Sequence, residues 1–155
     1  MYRIFEEQFL PISLSRAWKF FSSPNNLALI TPPQLGFKVL TPINDNNGIY
    51  EGMIIDYRVT PLFHIPLHWQ TKIENVEAEK AFTDIQVKGP YQTWEHTHTF
   101  IESNGGVVMQ DDVNYQLPFG FAGKAVHKLL VKNKLQEIFD FRKRKLMNLF
   151  SYDHQ

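Results

Sequence analysis

Two histidines one residue apart are the side chains best suited to chemistry in this sequence. His96 and His98 lie in Trp94-Glu95-His96-Thr97-His98-Thr99-Phe100, where strand alternation puts them on one face with Trp94 and Phe100. A neutral imidazole donates one hydrogen bond and accepts another, so the pair can orient a polar atom, move a proton or bind a metal. The aromatic neighbours indicate that this face points inward.

Carboxylates with the same periodicity lie on the two neighbouring predicted strands. Asp84 alternates with Phe82, and Asp111 alternates with Tyr115. Because an unsatisfied buried polar group costs about 1–3 kcal/mol, these carboxylates must pair with something. We expect them either to orient a polar atom of a mostly apolar ligand together with the histidines, or to form a network satisfied within the protein.

The candidate binding residues combine aromatic walls with polar anchors. Trp69 shares a strand face with Thr71 and Ile73, and the spacing of Arg142 from neighbouring apolar residues lets it point inward from a helix. His64 and His68, by contrast, are expected at the surface or rim. The predicted ligand-binding set is Trp69, Asp84, Trp94, His96, His98, Phe100, Asp111, Tyr115, Phe119 and Arg142.

A metal and a catalytic dyad are the competing uses of the histidines. His-x-His with a nearby Asp can present ligands to zinc or iron, but hydrogen bonding to the carboxylates explains the same residues, so we predict neither metal nor cofactor. Catalysis would use His96 or His98 as general base, oriented by Asp84 or Asp111. Since the sequence has no nucleophile elbow and no phosphate loop, enzyme activity is the alternative and no catalytic residue is assigned.

The elements that position these residues follow a simple order. An opening strand, Tyr2–Leu10, precedes two short helices, one around Trp18 and Phe21 and one from Pro24 to Ile30. A long C-terminal helix extends to about Phe150, with an apolar face traced by Val126, Leu129, Leu130, Ile138, Arg142, Leu146 and Leu149. The other predicted strands are Phe37–Leu40, Gly48–Val59, Leu67–Glu77, Ala81–Lys88, Tyr91–Ser103 and Val107–Leu117. This order predicts an α+β fold, with an antiparallel sheet of about seven strands and the long helix over its concave face.

Composition limits the class of protein and its partners. A chain of 155 residues is expected to form a single domain, residues 1–155. Lys plus Arg equals Asp plus Glu at 16 each, which gives no net field to attract nucleic acid. The cations of the C-terminal helix, Lys124 and Lys128 among them, are interpreted as a solvated face. The lack of Cys, of a leader and of an apolar span predicts a cytoplasmic protein.

A longer pattern around the histidines resembles a known family. The run from Gly89-Pro90-Tyr91 through Phe100, with Asp111-x-Val113-x-Tyr115-x-Leu117-Pro118-Phe119-Gly120 after it, resembles the START-like (SRPBCC) superfamily. More narrowly, it is similar to small bacterial proteins labelled cell-division-inhibitor-like. The resemblance covers nearly the whole chain and implies a helix-grip fold. It also implies a ligand class, since relatives include lipid and sterol carriers, plant hormone receptors, polyketide cyclases and aromatic-ring dioxygenase domains.

The resemblance and the inner-face aromatics together predict binding of a small hydrophobic or aromatic molecule. We expect a cavity of roughly 300–1,000 Å³ between the sheet and the long helix. The first alternative is a cyclase- or dehydratase-type enzyme that uses the same pocket with a His/Asp acid–base pair. The second is a protein-interaction module, which would have a filled core and an exposed apolar patch.

Overall fold

The computed structural model describes residues 1–44, 47–61, 65–118, 125 and 130–151. Within these residues seven antiparallel strands form one sheet in the order β1-β7-β6-β5-β4-β3-β2. The strands are β1 Tyr2–Leu10, β2 Lys38–Val39, β3 Ile54–Val59, β4 Leu67–Glu77, β5 Ala81–Lys88, β6 Thr93–Ser103 and β7 Gly106–Gln116. The predicted α+β class, with an antiparallel sheet and a long C-terminal helix, is confirmed.

The helices lie after β1 and at the end of the chain. Helix α1, Leu14–Phe21, begins at Ser13, whose hydroxyl accepts a hydrogen bond from the Arg16 amide at 3.2 Å. Helix α2, Pro24–Leu27, begins with proline, which suits the first turn because it has no amide hydrogen to leave unpaired. Two single 3₁₀ turns follow, Ala28–Ile30 and Pro33–Leu35. Helix α3 spans Lys132–Phe150.

Alternating burial gives the sheet one inner face. Along β7 every second residue from Val107 to Tyr115 is buried, and on β6 the buried set is Trp94, His96, His98 and Phe100. A period of two is expected when one face packs against other elements and the other meets solvent. The inner face therefore carries the histidines, as their aromatic neighbours predict.

Helix α3 covers this inner face through residues three or four positions apart. Its buried side chains are Leu135, Phe139, Arg142, Leu146 and Phe150. Leu135 and Phe139 pack in a cluster with Trp94 and Tyr115. Leu146 and Phe150 join the second cluster, which includes residues of β1 and α1. The helix thus spans the sheet and holds Arg142 between the two apolar clusters.

Several predicted boundaries were wrong. Strand β3 begins at Ile54 rather than Gly48, because Gly48 and Gly52 adopt φ values of 60° and 80° and form turns instead. Leu149, predicted on the apolar face of the helix, is 38% exposed, because the buried stripe follows Leu146 and Phe150. Leu130, predicted on the same face, is 44% exposed but lines the space between the helix and the sheet. Predictions for Val126, Leu129, Lys124 and Lys128 lie outside the described residues, as do those for His64 and Phe119. No helix in the described ranges is long and apolar enough to cross a membrane.

The β6–β7 turn brings β7 close against the backbone of β1. A Cβ atom on Gly106 would lie 2.2 Å from the carbonyl oxygen of Leu10 and 2.7 Å from the ring of Phe9. We expect Gly106→Ala to lower the free energy of unfolding by about 1–3 kcal/mol, because the paired strands must separate to admit the methyl group. Urea denaturation measures this change.

The matched control for this substitution is Gly105→Asn in the same turn. Gly105 has φ 80° with nothing within 4 Å of its Cβ position, and asparagine tolerates this conformation. This control should cost less than about 1 kcal/mol. Equal losses for the two variants would contradict the close-approach explanation.

Candidate functional site

A cavity of about 230 Å³ lies between the inner face of the sheet and helix α3. It is smaller than the expected 300–1,000 Å³, because many large side chains project into this space. Its aromatic lining consists of Phe20, Phe21, Phe37, Tyr57, Trp69, Phe82, Tyr91, Trp94 and Phe139. The polar lining residues are Ser23, Asn26, Thr31, Thr71, Asp84, His96, His98, Lys134 and Arg142.

The structure divides the predicted binding residues into two groups. The residues that border the cavity are Trp69, Asp84, Trp94, His96, His98 and Arg142. Phe100, Asp111 and Tyr115 are buried on the same face of the sheet but away from the cavity wall.

The second group is covered by other side chains. The ring of Phe100 packs under α1, 5.7 Å from Trp18 and 5.6 Å from Phe21. Tyr115 lies against Tyr2 and Trp94, with ring centroids 5.6 and 5.9 Å apart. Away from the cavity altogether, the exposed His68 lies 2.6 Å from Asp56, as expected of a surface residue.

Cross-strand register brings the two histidines and the two carboxylates together. Asp84 on β5 lies opposite His96, and Asp111 on β7 lies opposite His98. Directly opposed and diagonal neighbours on one face are within reach of each other, so each carboxylate contacts both imidazoles. His96 Nε2 is 2.7 Å from Asp111 Oδ1, and His98 Nε2 is 3.1 Å from Asp84 Oδ2. We call these four residues, with Arg142, the buried ionic cluster.

The remaining contacts of the cluster are less regular. His98 Nδ1 lies 2.9 Å from Asp111 Oδ1 but is poorly aligned, so within the described residues this nitrogen makes no hydrogen bond. His96 Nδ1 and Asp84 Oδ2 are 3.5 Å apart. From the helix, Arg142 donates to Asp111 Oδ1 at 3.4 Å. Asp111 thus lies on the side of the cluster away from the cavity, whereas Asp84 borders the cavity.

Both carboxylates of the cluster are held in the ionised state. Burial alone would raise the pKa of Asp111, but the Arg142 guanidinium and the close contacts with His96 and His98 outweigh it and hold that pKa well below its usual value. For Asp84, too, burial opposes ionisation, but the neighbouring imidazoles of His96 and His98 and the Arg142 guanidinium lower its pKa overall. The cluster therefore carries two negative charges.

The two histidines differ in charge although they are adjacent. Burial lowers the pKa of His96, and repulsion from His98 lowers it further, beyond the opposing effect of the carboxylates. Burial alone would also lower the pKa of His98, but the close contacts with the Asp111 and Asp84 carboxylates outweigh it and raise that pKa. The two shifts thus favour protonation of His98 over protonation of His96. When His98 is protonated, it and Arg142 balance the two carboxylates.

One part of the cavity wall is aromatic and is built around a loop. Gln86 holds the loop between β5 and β6 through its amide, which donates to the Tyr91 carbonyl at 2.8 Å and accepts from the Tyr91 amide at 3.2 Å. The Tyr91 ring consequently packs 5.5 Å from Trp69 and 4.8 Å from Trp94. Such a wall favours a flat apolar ligand.

Three important lining residues are absent from the predicted set. Tyr57 alternates with Ile55 and Val59, so strand periodicity could have identified it. Phe139 lies one helical turn before Arg142, so helical periodicity could have identified it too. Tyr91 belongs to a loop without periodicity, and no sequence signal indicates that Gln86 directs it inward.

The ionic cluster also includes a possible metal-ligand set. One donor atom from each of Asp84, His96 and His98 lies within 4.8 Å of the others. Two histidines and a carboxylate match the ligands that zinc and iron accept. Each of the three residues, however, already has an ionic or hydrogen-bonded partner within the cluster.

Comparison with known proteins identifies the fold. No protein-family model matches the chain, and no curated protein matches its sequence. Among solved structures, protein CV1439 from Chromobacterium violaceum has a TM-score of 0.70 and 15% identity, covering 97% of this chain and 98% of that one. Protein XoxI from Bacillus cereus has a TM-score of 0.67 and 10% identity, covering 100% and 99%. Protein Ms6760 from Mycobacterium smegmatis has a TM-score of 0.65 and 15% identity, covering 95% and 92%.

These similarities concern the fold and not the function, because the sequence identities are low. The matches extend over nearly the full length of each chain. A seven-stranded antiparallel sheet with a long C-terminal helix on its inner face fits a helix-grip fold. Folds of this kind carry many functions, so the function must be argued from the site.

The first prediction from the site concerns acid stability. Asp111 faces His96 and His98 on β6, Arg142 on α3 and Glu6 opposite it on β1. Because the pKa of Asp111 is lowered on folding, its stabilisation is complete above the unfolded value of about 3.9 and is lost as pH falls through the folded value. Asp111→Asn should cost about 3–5 kcal/mol at pH 7, and the deficit should shrink as pH falls below about 4.

The control for this prediction is Asp112→Asn on the outer face of the same strand. Asp112 pairs with the exposed Arg3 at 2.8 Å, so its loss should cost less than about 1 kcal/mol. Guanidinium denaturation of both variants between pH 2.5 and 7 measures the two curves. A deficit for Asp111→Asn that does not change with pH would show that the carboxylate is not ionised in the fold.

The second prediction from the site concerns metals. Since Asp84, His96 and His98 already have partners within the cluster, we expect EDTA dialysis to leave the melting temperature unchanged. Elemental analysis of the purified protein should find zinc and iron well below one atom per chain. A stoichiometric metal, together with a lower melting temperature after chelation, would contradict this expectation.

Proposed function

We propose that the protein binds a small hydrophobic or aromatic molecule in the cavity between the sheet and helix α3. The observation that carries this proposal is the lining: among the described residues, nine aromatic side chains border the space, together with polar side chains that include Asp84, His96 and Arg142. Ligand sites usually combine an apolar wall with a small number of polar groups that fix orientation. An interaction module with a filled interior does not account for this cavity.

The size of the space restricts the ligand further. A cavity of about 230 Å³ accommodates roughly ten to fifteen non-hydrogen atoms at the packing density of protein interiors. A molecule with one or two fused rings fits this space, whereas a full-length sterol or phospholipid does not. The wall of Trp69, Tyr91 and Trp94 would contact the flat face of such a ligand.

Acid–base catalysis in the same cavity is the second candidate function. One observation favours it: Asp84 and His96 both border the cavity, and burial lowers the pKa of His96, which favours the neutral imidazole that a general base requires. A cyclase- or dehydratase-type reaction would use this pair. Conversion of a bound molecule by the purified protein, recorded by mass spectrometry over time, would support catalysis.

The proposal extends to family and cellular context. Membership of the START-like (SRPBCC) superfamily is supported by the helix-grip arrangement together with the motif around His96 and His98. A single ligand-binding domain over residues 1–155 and a cytoplasmic location are part of the same proposal. Native mass spectrometry of protein purified from its source tests the binding function directly, because a bound organic molecule appears as a defined mass increment.

Filling the cavity tests where the ligand binds. Leu135 on α3 is buried and borders the cavity, so Leu135→Trp places an indole in the proposed ligand space. Affinity for the co-purifying molecule should fall at least about tenfold, since overlapping volume excludes the ligand. Isothermal titration calorimetry measures this loss.

The matched control for the cavity variant is Leu149→Trp on the exposed side of the same helix. Its affinity should equal that of the wild type. Circular dichroism establishes that both variants are folded. Unchanged affinity in a folded Leu135→Trp variant would place the ligand elsewhere.

A further inference from the structure

Two polar atoms face each other on the cavity wall. His96 Nδ1 and Asp84 Oδ2 are 3.5 Å apart and form no hydrogen bond with each other in the described part of the chain. Both residues border the cavity, and the Asp84 side chain retains 20% exposure. This gap is too narrow to admit an atom between the two, but a bound molecule can approach both atoms from the cavity.

Proton placement makes both atoms of the gap acceptors. His96 Nε2 lies 2.7 Å from Asp111 Oδ1, so the hydrogen of the neutral imidazole belongs on Nε2. Nδ1 then presents a lone pair. On the other side, Asp84 Oδ2 already accepts from His98 Nε2, but a carboxylate has about four lone-pair sites and can accept more. A hydrogen-bond donor from outside the protein would satisfy both atoms.

Charge decides which kind of donor fits. The negative charges of Asp84 and Asp111 are balanced by Arg142 and by His98 in its charged form. A ligand anion would lie against the Asp84 carboxylate and be repelled, and a cation would upset a balance that already exists. A neutral donor avoids both costs.

We propose that the ligand is an apolar ring system bearing a neutral hydroxyl or amino group, and that this group donates into the gap between Asp84 Oδ2 and His96 Nδ1. This inference rests on the proposed binding function and adds the polar chemistry of the ligand to it. A donor atom about 2.8 Å from each acceptor would lie beside the pair, on its cavity side, and share its hydrogen bond between the two. The ring system then extends toward Trp69 and Trp94.

Three naphthalene derivatives test the proposal because they differ only in the polar group. Calorimetric titration of the full chain at pH 7.5 compares 2-naphthol, naphthalene and 2-naphthoate. We expect 2-naphthol to bind roughly tenfold more tightly than naphthalene, the gain of a hydrogen bond to a charged acceptor. The naphthoate anion should bind more weakly than naphthalene.

Substitution of the acceptor should remove this preference. In Asp84→Asn the new amide can donate to His96 Nδ1 itself, so the advantage of 2-naphthol over naphthalene should fall below about threefold. Asp112→Asn, on the outer face and paired with Arg3, should leave all three affinities unchanged. The relative affinities of the wild-type protein for the three compounds test the proposal even if Asp84→Asn does not fold.

The possible failures are distinguishable. Equal affinities of 2-naphthol and naphthalene, or tighter binding of 2-naphthoate, would overturn the donor inference while leaving cavity binding intact. A lack of binding by all three compounds would overturn the proposed aromatic-ligand function and the inference that rests on it.

Discussion

The need to keep buried charges compensated is the constraint on which this structure depends. Asp84 and Asp111 are ionised beneath a helix, where each would be costly without a partner. Their compensation comes from residues on different elements, namely the histidines of β6 and Arg142 of α3. Because a one-residue slip turns every side chain of a strand to the opposite face, the charges pair only in the observed register of β5, β6 and β7. The same pairing sets where α3 rests, since Arg142 must reach Asp111.

The ionic cluster and the aromatic wall border the same cavity. Apolar side chains that covered Asp84 and His96 would leave hydrogen-bonding atoms unsatisfied, so these two residues remain part of the cavity wall. Trp69, Tyr91 and Trp94 line the cavity too, and pack against one another at centroid separations of 5.5, 4.8 and 5.3 Å. Because the rings of Trp94 and His96 are 6.3 Å apart, the wall combines a flat apolar surface with polar groups beside it.

Strand periodicity predicted the inner face correctly but not the extent of the cavity along it. Trp94, His96, His98 and Phe100 all point inward, yet Phe100 is covered by α1 and does not reach the open space. A period of two gives the side of the sheet to which a residue belongs. It cannot show which part of that side a helix covers, because the position of the helix depends on contacts between residues distant in sequence. Tyr91 is a residue that periodicity could not identify, because loop hydrogen bonds and not strand alternation turn it inward.

The arrangement of protons in the cluster favours binding over catalysis. A general base needs an accessible lone pair and a pKa near the working pH. His98 directs both nitrogens toward carboxylates, and His96 directs Nε2 toward Asp111, so among the imidazole nitrogens of the cluster His96 Nδ1 is the one that can accept a proton from a ligand. The pKa of His96 is lowered by burial and by the charge of His98, which makes this nitrogen a weak base. A weak base beside a carboxylate still accepts a hydrogen bond well. The same charge balance that stabilises the fold therefore suits the recognition of a donor better than the removal of its proton.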